Sequence, residues 1–282
     1  MKQNQVSEQL EQFYDKDAGR YRDAQWFSSS SSKCFYQATK EVVLSEARLT
    51  GQENVLEVGC GPGTWTNELQ PLAKNIIAID LSSQMLAQAR QYVPGDNVEF
   101  HHGEFLSFDF GEKRFDRIIS VRVLEYFTDT YSFLKKCLEL LRPGGRIVLV
   151  TKTPSAVWKY RAALLRNFRF LWPRSYKKII DVPAKEGYNK MFWQRLSAPS
   201  VLRKQTLSLG FLHCKTMPVL SRFPIIDGGY SELPILSGRI AERYLVFSAK
   251  FTKWSQSKGQ FINTIASSIS ESYALIADSD KK

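Results

Sequence analysis

The chain has 282 residues, 43% of them hydrophobic and 24% charged. That composition holds enough apolar mass for a core, and it excludes a wholly disordered chain, a collagen-like fibre and a small disulfide scaffold. Net charge is +11, from 39 Lys+Arg against 28 Asp+Glu; no apolar run reaches the ~18 residues of a membrane-spanning helix, and the polar N-terminus MKQNQVSEQLEQFYDKDAGR does not read as a secretory signal.

Residues 1–27 read as a polar helix running into an aromatic segment that holds Tyr14, Tyr21, Trp26 and Phe27. The five serines Ser28 to Ser32 read as a flexible loop, and 33–49 as a helix. A regular alternation follows. NVLEV (54–58) is a strand, then a glycine turn and a helix from Thr64. NIIAID (75–80) is a strand, and Ser82 is positioned to cap a helix to Tyr92. NVEFHH (97–102) and FDRIISV (115–121) are strands, Asp129 to Leu141 is a helix, and RIVLVTK (146–152) is a fifth strand. Strands alternating with helices predict an α/β fold with a parallel, doubly wound sheet. Residues 154–199 break the alternation with no strand signal. A helix over 201–209, a strand FLHCKTM (211–217) and a final strand ERYLVFSAKF (242–251) follow. Residues 255–282 read either as disordered or as a weak amphipathic helix through Ile262, Ile265, Ile269 and Ile276. Cys34, Cys60, Cys137 and Cys214 form no CxxC pair, so neither zinc nor disulfides are expected and a reducing cytoplasm fits.

The richest stretch is Glu57-Val58-Gly59-Cys60-Gly61-Pro62-Gly63-Thr64. A glycine turn after the first strand sits at the carboxyl edge of the sheet, where such folds bind ligands. Thr64 stands where a dinucleotide fingerprint needs its third glycine, and the GK[ST] of a phosphate-cradling loop is absent. A purely structural turn stays open. Two more acids narrow the choice: Asp80 ends the second strand and Glu104 follows the third. Ionised carboxylates accept hydrogen bonds from hydroxyl and amino groups and repel phosphates. A ligand with ribose and adenine but no phosphate fits better than a nucleotide.

With these residues in view, the sequence resembles the class I S-adenosylmethionine-dependent methyltransferases, in their bacterial small-molecule and lipid branch. The matching pieces are VLEVGCGPG (55–63), AIDLSSQML (78–86), HHGEF (101–105), FDRIISVRVLEYF (115–127) and LRPGGRIVLV (141–150). The resemblance implies a Rossmann-like, seven-stranded, mostly parallel sheet whose last strand is antiparallel, with a helical cap after strand five. It implies that Glu57, Gly59, Gly61 and Gly63 line the methionine end of S-adenosylmethionine. Asp80 would hold the ribose hydroxyls, Leu81 and Met85 would flank the adenine, and Glu104 beside Phe105 would receive the adenine amino group. Arg122 would border the sulfonium, and Tyr14 and Tyr21 would close over the cofactor. The segment Ala241 to Val246 resembles the last strand of methyltransferases acting on glycolipids, sugars and secondary metabolites. The chain then divides into an N-terminal helical cofactor cover (1–50), a cofactor-binding core (51–153), a basic cap (154–199), the last two strands (200–254) and a flexible tail (255–282).

Methyl transfer needs a base only if the acceptor carries a proton at working pH. Of three histidines, His101 and His102 read as structural or adenine-side, and His213 as a core or edge residue. Tyr126, Arg122 and His102 are weak catalytic candidates and no residue stands out as a base. Quinone-pathway relatives place an acid and a histidine as metal ligands where this chain has Arg122 and Tyr126, so no metal is expected. Positive charge concentrates in residues 151–254, with 19 basic against 5 acidic side chains. Residues 157–178 hold seven basic residues and no acid, with Trp158, Phe168 and Trp172 near one helical face. That pattern fits a substrate lid, an anionic membrane surface or single-stranded RNA. The leading expectation is methylation of oxygen or nitrogen on a small or amphiphilic molecule by a cytoplasmic enzyme that can sit peripherally on a membrane. The alternative is an RNA methyltransferase using the basic 154–253 segment.

Overall fold

The computed structural model describes residues 2–154, 186–189, 192–221 and 239–280. Helix α1 (Gln3–Arg22), a π-helical turn (Asp23–Phe27) and α2 (Ser30–Ala47) precede the sheet. The sheet half runs β1 (Asn54–Val58), α3 (Thr64–Leu69), β2 (Asn75–Asp80), α4 (Ser83–Tyr92), β3 (Val98–His102), β4 (Phe115–Val121), α5 (Thr130–Leu140) and β5 (Leu141–Lys152). A hairpin of β6 (Glu186–Asn189) and β7 (Phe192–Arg195) comes next, then α6 (Pro199–Ser208) and β8 (Leu212–Pro218). The described chain closes with α7 (Arg239–Gln256), α8 (Gln260–Ile269) and β9 (Ser272–Asp278).

The main sheet has seven strands in the order β3-β2-β1-β4-β5-β9-β8. β1 to β5 pair in parallel, and β9 runs antiparallel to both its neighbours. The expected seven-stranded, mostly parallel sheet is borne out. From β1 the chain winds outward through β2 and β3, then returns to β4 on the other side. The strand order therefore reverses between β1 and β4, and a crevice opens at their carboxyl ends. Successive side chains on a strand point to opposite faces. Val55, Ile119 and Val148 accordingly join the core beneath α2 and α3, while Leu56, Ile118 and Leu149 join the core with α5. Helix starts follow local chemistry: Ser82 Oγ accepts from Met85 N–H at 3.1 Å, and Asp129 accepts from the amides of Tyr131 and Ser132.

Four expectations need correction. The serine run is no loop throughout: Ser29 caps α2 by accepting from Ser32 N–H at 3.0 Å, and the helix begins at Ser30. Residues 242–251 are not the final strand but lie in α7, where Leu245, Ser248, Thr252 and Ser255 are buried at helical spacing. A short apolar run such as YLVF does not by itself separate helix from strand. The final strand is β9, in the segment read as a tail; Tyr273 to Ala277 are at most 1% exposed, buried between β5 and β8. The segment 154–199 does contain strands, β6 and β7. The expected basic helix over 157–178 lies outside the described residues.

Candidate active site

The crevice at the strand switch is a cleft of about 860 Å³, counting the solvent at its mouth. Its floor is the turn after β1. Gly59, Gly61 and Gly63 all take left-handed backbone angles, with φ of 72°, 53° and 80°, a region where a Cβ is costly. At Gly59 a Cβ would lie 2.3 Å from Val123 Cγ2. At Gly63 it would press on Ala89 and Val93 of the α4 region, so that glycine lets α3 dock. Gly61 has open space above it and faces the cleft. Gly59→Ala should therefore lower stability by roughly 1–3 kcal/mol through overpacking and backbone strain. The double variant with Val123→Ala should recover only part of the loss, because φ stays positive. Thermal unfolding of wild type, both single variants and the double variant checks this.

Asp80 stands at one end of the floor. Its carboxylate accepts from Gly61 N–H at 2.7 Å and Ser82 N–H at 2.9 Å. Burial pushes its carboxyl above the ordinary range, against the pull of these two donors. Glu104 also lines the cleft: Oε2 accepts from Ser107 N–H at 2.8 Å, while Oε1 is buried with no partner. Leu81, Met85 and Phe105 line the same end. Glu57 does not line the cleft. It is 2% exposed beneath the turn, and burial pushes its carboxyl up to about 8, with Thr66 opposing and Asp80 reinforcing the rise. Gly63 likewise supports the turn from outside the lining.

The other end is cationic and phenolic. Arg122 follows β4 with φ of 66°, and its Nε donates to Glu125 at 3.1 Å. Glu125 is fully buried and also accepts from Thr151 Oγ1 at 2.9 Å. Burial disfavours the Arg122 charge, but Glu125 and Glu271 hold the guanidinium firmly protonated. Its Nη1 is buried without a partner. Lys152, at the end of β5, is pushed down to about 8 by burial and by Arg122. The Tyr14 and Tyr126 hydroxyls meet at 2.7 Å, and burial raises Tyr14, which stays a neutral phenol.

α1 roofs the cleft through named bonds. Asp15 accepts from Ser82 Oγ at 2.6 Å, and Gln3 accepts from Thr128 N–H at 2.9 Å. His102 Nε2 lies 2.7 Å from the Leu81 carbonyl and 3.3 Å from Glu11. It thus fastens the roof and does not line the cleft. His101 lies 3.5 Å from Glu99, and His213 is exposed on edge strand β8. Tyr14, Tyr21, Asp80, Leu81, Met85, Glu104, Phe105, Arg122 and Tyr126 thus converge on one cleft, as the sequence places them. The sequence reading missed Glu125, Lys152 and the lining residues Gln3 and Trp26. Their roles depend on contacts more than a hundred residues away, or on burial, and no local motif signals them. Among the described residues, no group of three or more His, Cys, Asp or Glu could hold a metal ion.

Residues 55–145 match the family described as "Methyltransferase domain". Over these residues the chain carries a methyltransferase domain of the class I S-adenosylmethionine-dependent type. It is similar to a demethylmenaquinone methyltransferase of Oceanobacillus iheyensis, 24% identical over 63% of this chain and 75% of that protein. It is also similar to a ubiquinone biosynthesis O-methyltransferase of Aromatoleum aromaticum, 34% identical over 37% of this chain and 46% of that protein. The chain spans about half the length of such ubiquinone-pathway relatives. The fold is shared with the N-methyltransferase NodS of Bradyrhizobium japonicum bound to S-adenosyl-L-homocysteine. The TM-score there is 0.54 at 14% identity, over 96% of this chain and 98% of that one. The cofactor of this methyltransferase is S-adenosylmethionine. Its chemistry suits the cleft: the unpartnered Glu104 Oε1 is free to accept from an amino group, and the open face of Gly61 leaves room for close approach to the backbone.

Proposed function

We propose that this methyltransferase moves a methyl group from S-adenosylmethionine to oxygen or nitrogen of a small or amphiphilic acceptor. The observation that carries the reading is the polarity of the cleft. Asp80 and Glu104 stand at one end, and the Arg122–Glu125 pair with the Tyr14–Tyr126 hydroxyls at the other. Asp80 would hold the ribose hydroxyls, Leu81 and Met85 the adenine faces, and Glu104 the adenine amino group. The Gly59–Gly63 turn would carry the methionine end, and Tyr21 with Tyr14 would close it from above. When bound, the cofactor supplies an electrophilic methyl group on a sulfonium.

The chain's own residues then align and enclose. In-line displacement gains mainly from orientation and from exclusion of water, and α1 with its clamps to Ser82 and Thr128 excludes water from that end. Arg122 is neutralised by Glu125, so the cleft keeps little net positive charge beside the sulfonium. The raised Tyr14 phenol orients Tyr126 and takes no proton near neutrality. The acceptor should therefore reach the cleft with its nucleophilic atom already deprotonated or carrying a free lone pair.

A small or lipid-like acceptor agrees with the relatives, which include a demethylmenaquinone methyltransferase and a malonyl-[acyl-carrier protein] O-methyltransferase. The test is transfer of labelled methyl into a bacterial lysate separated into lipid, small-molecule and RNA fractions. Label should enter the lipid or small-molecule fraction and vanish with Asp80→Ala. Label confined to RNA would overturn the acceptor class.

A further inference from the structure

The last two helices are built inside out. A helix on the surface of a globular protein turns its apolar stripe inward. In α7 the buried positions are Leu245, Ser248, Thr252 and Ser255, three of the four hydroxylic. Two of the three hydroxyls are used locally: Thr252 Oγ1 donates to Ser248 O at 2.7 Å and accepts from Ser221 N–H at 2.8 Å, and Ser255 Oγ donates to Thr252 O at 2.8 Å. The outward face carries Val246, Phe247 and Trp254, with Phe247 55% and Trp254 51% exposed. α8 repeats the inversion. Asn263, Ala266 and Ser267 are buried, while Phe261 is 76% and Ile265 49% exposed. Half of the large exposed hydrophobics among the described residues stand on these two helices. Phe251 bridges two of the rings, stacking on Phe247 and on Trp254 at centroid distances of 6.5 and 5.7 Å.

The charge on this surface is mainly positive: α7 carries one exposed acid, Glu242 in its first turn, and Lys253 pairs with Glu41 at 3.0 Å. From Arg243 to Ser270 there are four basic residues and no acid. Arg243 and Lys250 share the outward stripe with Phe247 and Trp254 at helical spacing, and Lys258 Nζ lies 5.4 Å above the Trp254 ring. Lysine is depleted from the cores of protein interfaces. Beside exposed aromatic rings it suits a bilayer, where long basic side chains reach the headgroups and the rings sit at the acyl boundary. No helix among the described residues is long and apolar enough to cross a membrane, so contact would lie in the interface plane.

We propose that the outward faces of α7 and α8 dock this methyltransferase on an anionic lipid bilayer. The occupant follows from charge complementarity: beyond Glu242 in the first turn of α7, an apolar strip interspersed with Arg243, Lys250 and Lys258 matches acyl chains beneath anionic headgroups. The docking surface is separate from the cleft, so its test does not depend on the acceptor.

Full-length protein is sedimented with phosphatidylglycerol–phosphatidylcholine vesicles and with pure phosphatidylcholine vesicles. Wild type should pellet with the anionic vesicles, less so at high salt, and remain mostly in the supernatant with the neutral ones. The pairs Phe247→Ser/Trp254→Ser and Lys250→Glu/Lys258→Glu should each weaken vesicle partition by at least about tenfold. Both should keep the wild-type melting temperature and S-adenosyl-L-homocysteine affinity, which shows that they fold. Failure of wild type to pellet overturns the proposal, as does unchanged pelleting of the Phe247→Ser/Trp254→Ser pair. A dimer in light scattering that this pair dissolves assigns the surface to a second copy instead. Loss of RNA retention on a filter with vesicle binding intact assigns it to nucleic acid.

Discussion

Asp80→Ala should lower S-adenosylmethionine affinity by at least about tenfold, because a charge-assisted hydrogen bond is worth roughly 1.5–3 kcal/mol and the ribose would present two hydroxyls to this carboxylate. The carboxylate also has a second task. It accepts from Gly61 N–H and Ser82 N–H, so it ties the glycine turn to the start of α4. Alanine leaves two amide donors unpaired at the cleft floor, and the turn loses its fixed position. Calorimetric titration separates the two contributions when Asp80→Asn is measured beside alanine. Asparagine keeps the shape and one acceptor oxygen but loses the charge, so its affinity should fall between wild type and alanine. Equal affinity for wild type and Asp80→Ala would remove Asp80 from the cofactor site.

The parallel half of the fold was legible because each element there carries its own local signal. Ser82 and Asp129 cap their helices, and the β1 and β2 segments are short apolar runs bounded by turn residues. Asp80 and Glu104 could be placed because a residue ending a parallel strand must lie at the carboxyl edge. The antiparallel end was not legible. β9 is seven residues long and buried on both faces, while α7 presents Val246 and Phe247 to solvent. In such a pair the exposed helix looks more strand-like than the strand, and only tertiary burial separates them. The charge cluster of Arg122, Glu125, Lys152 and Glu271 joins the ends of β4 and β5 to the start of β9. Once β9 was misplaced, that cluster could not be assembled from sequence. Glu57 shows the reverse case: its motif position implies the cleft, but the alternation of β1 turns its side chain beneath the floor.

Glu57 should make the protein less stable as pH rises from about 4.5 to about 8. Its carboxyl is buried and pushed up to about 8, against an ordinary value near 4.3 in an unfolded chain. Between these two values the folded state holds a proton that the unfolded state has released. Stability then falls with pH, by up to about 1.4 kcal/mol per pH unit from this one group. Below about 4.5 both states are protonated, and above about 8 both are ionised, so the slope from Glu57 vanishes outside the window. Glu57→Gln supplies a neutral side chain of the same shape at every pH. Its melting temperature should match that of wild type near pH 5 and exceed it increasingly up to pH 8, with the difference constant beyond. The carboxyl Oε2 has no hydrogen-bond partner, so the amide breaks no bond at that atom. Melting curves of both proteins from pH 5 to 9 decide the matter. Parallel curves across that range would mean that Glu57 titrates at its ordinary value, and that water reaches it beneath the glycine turn.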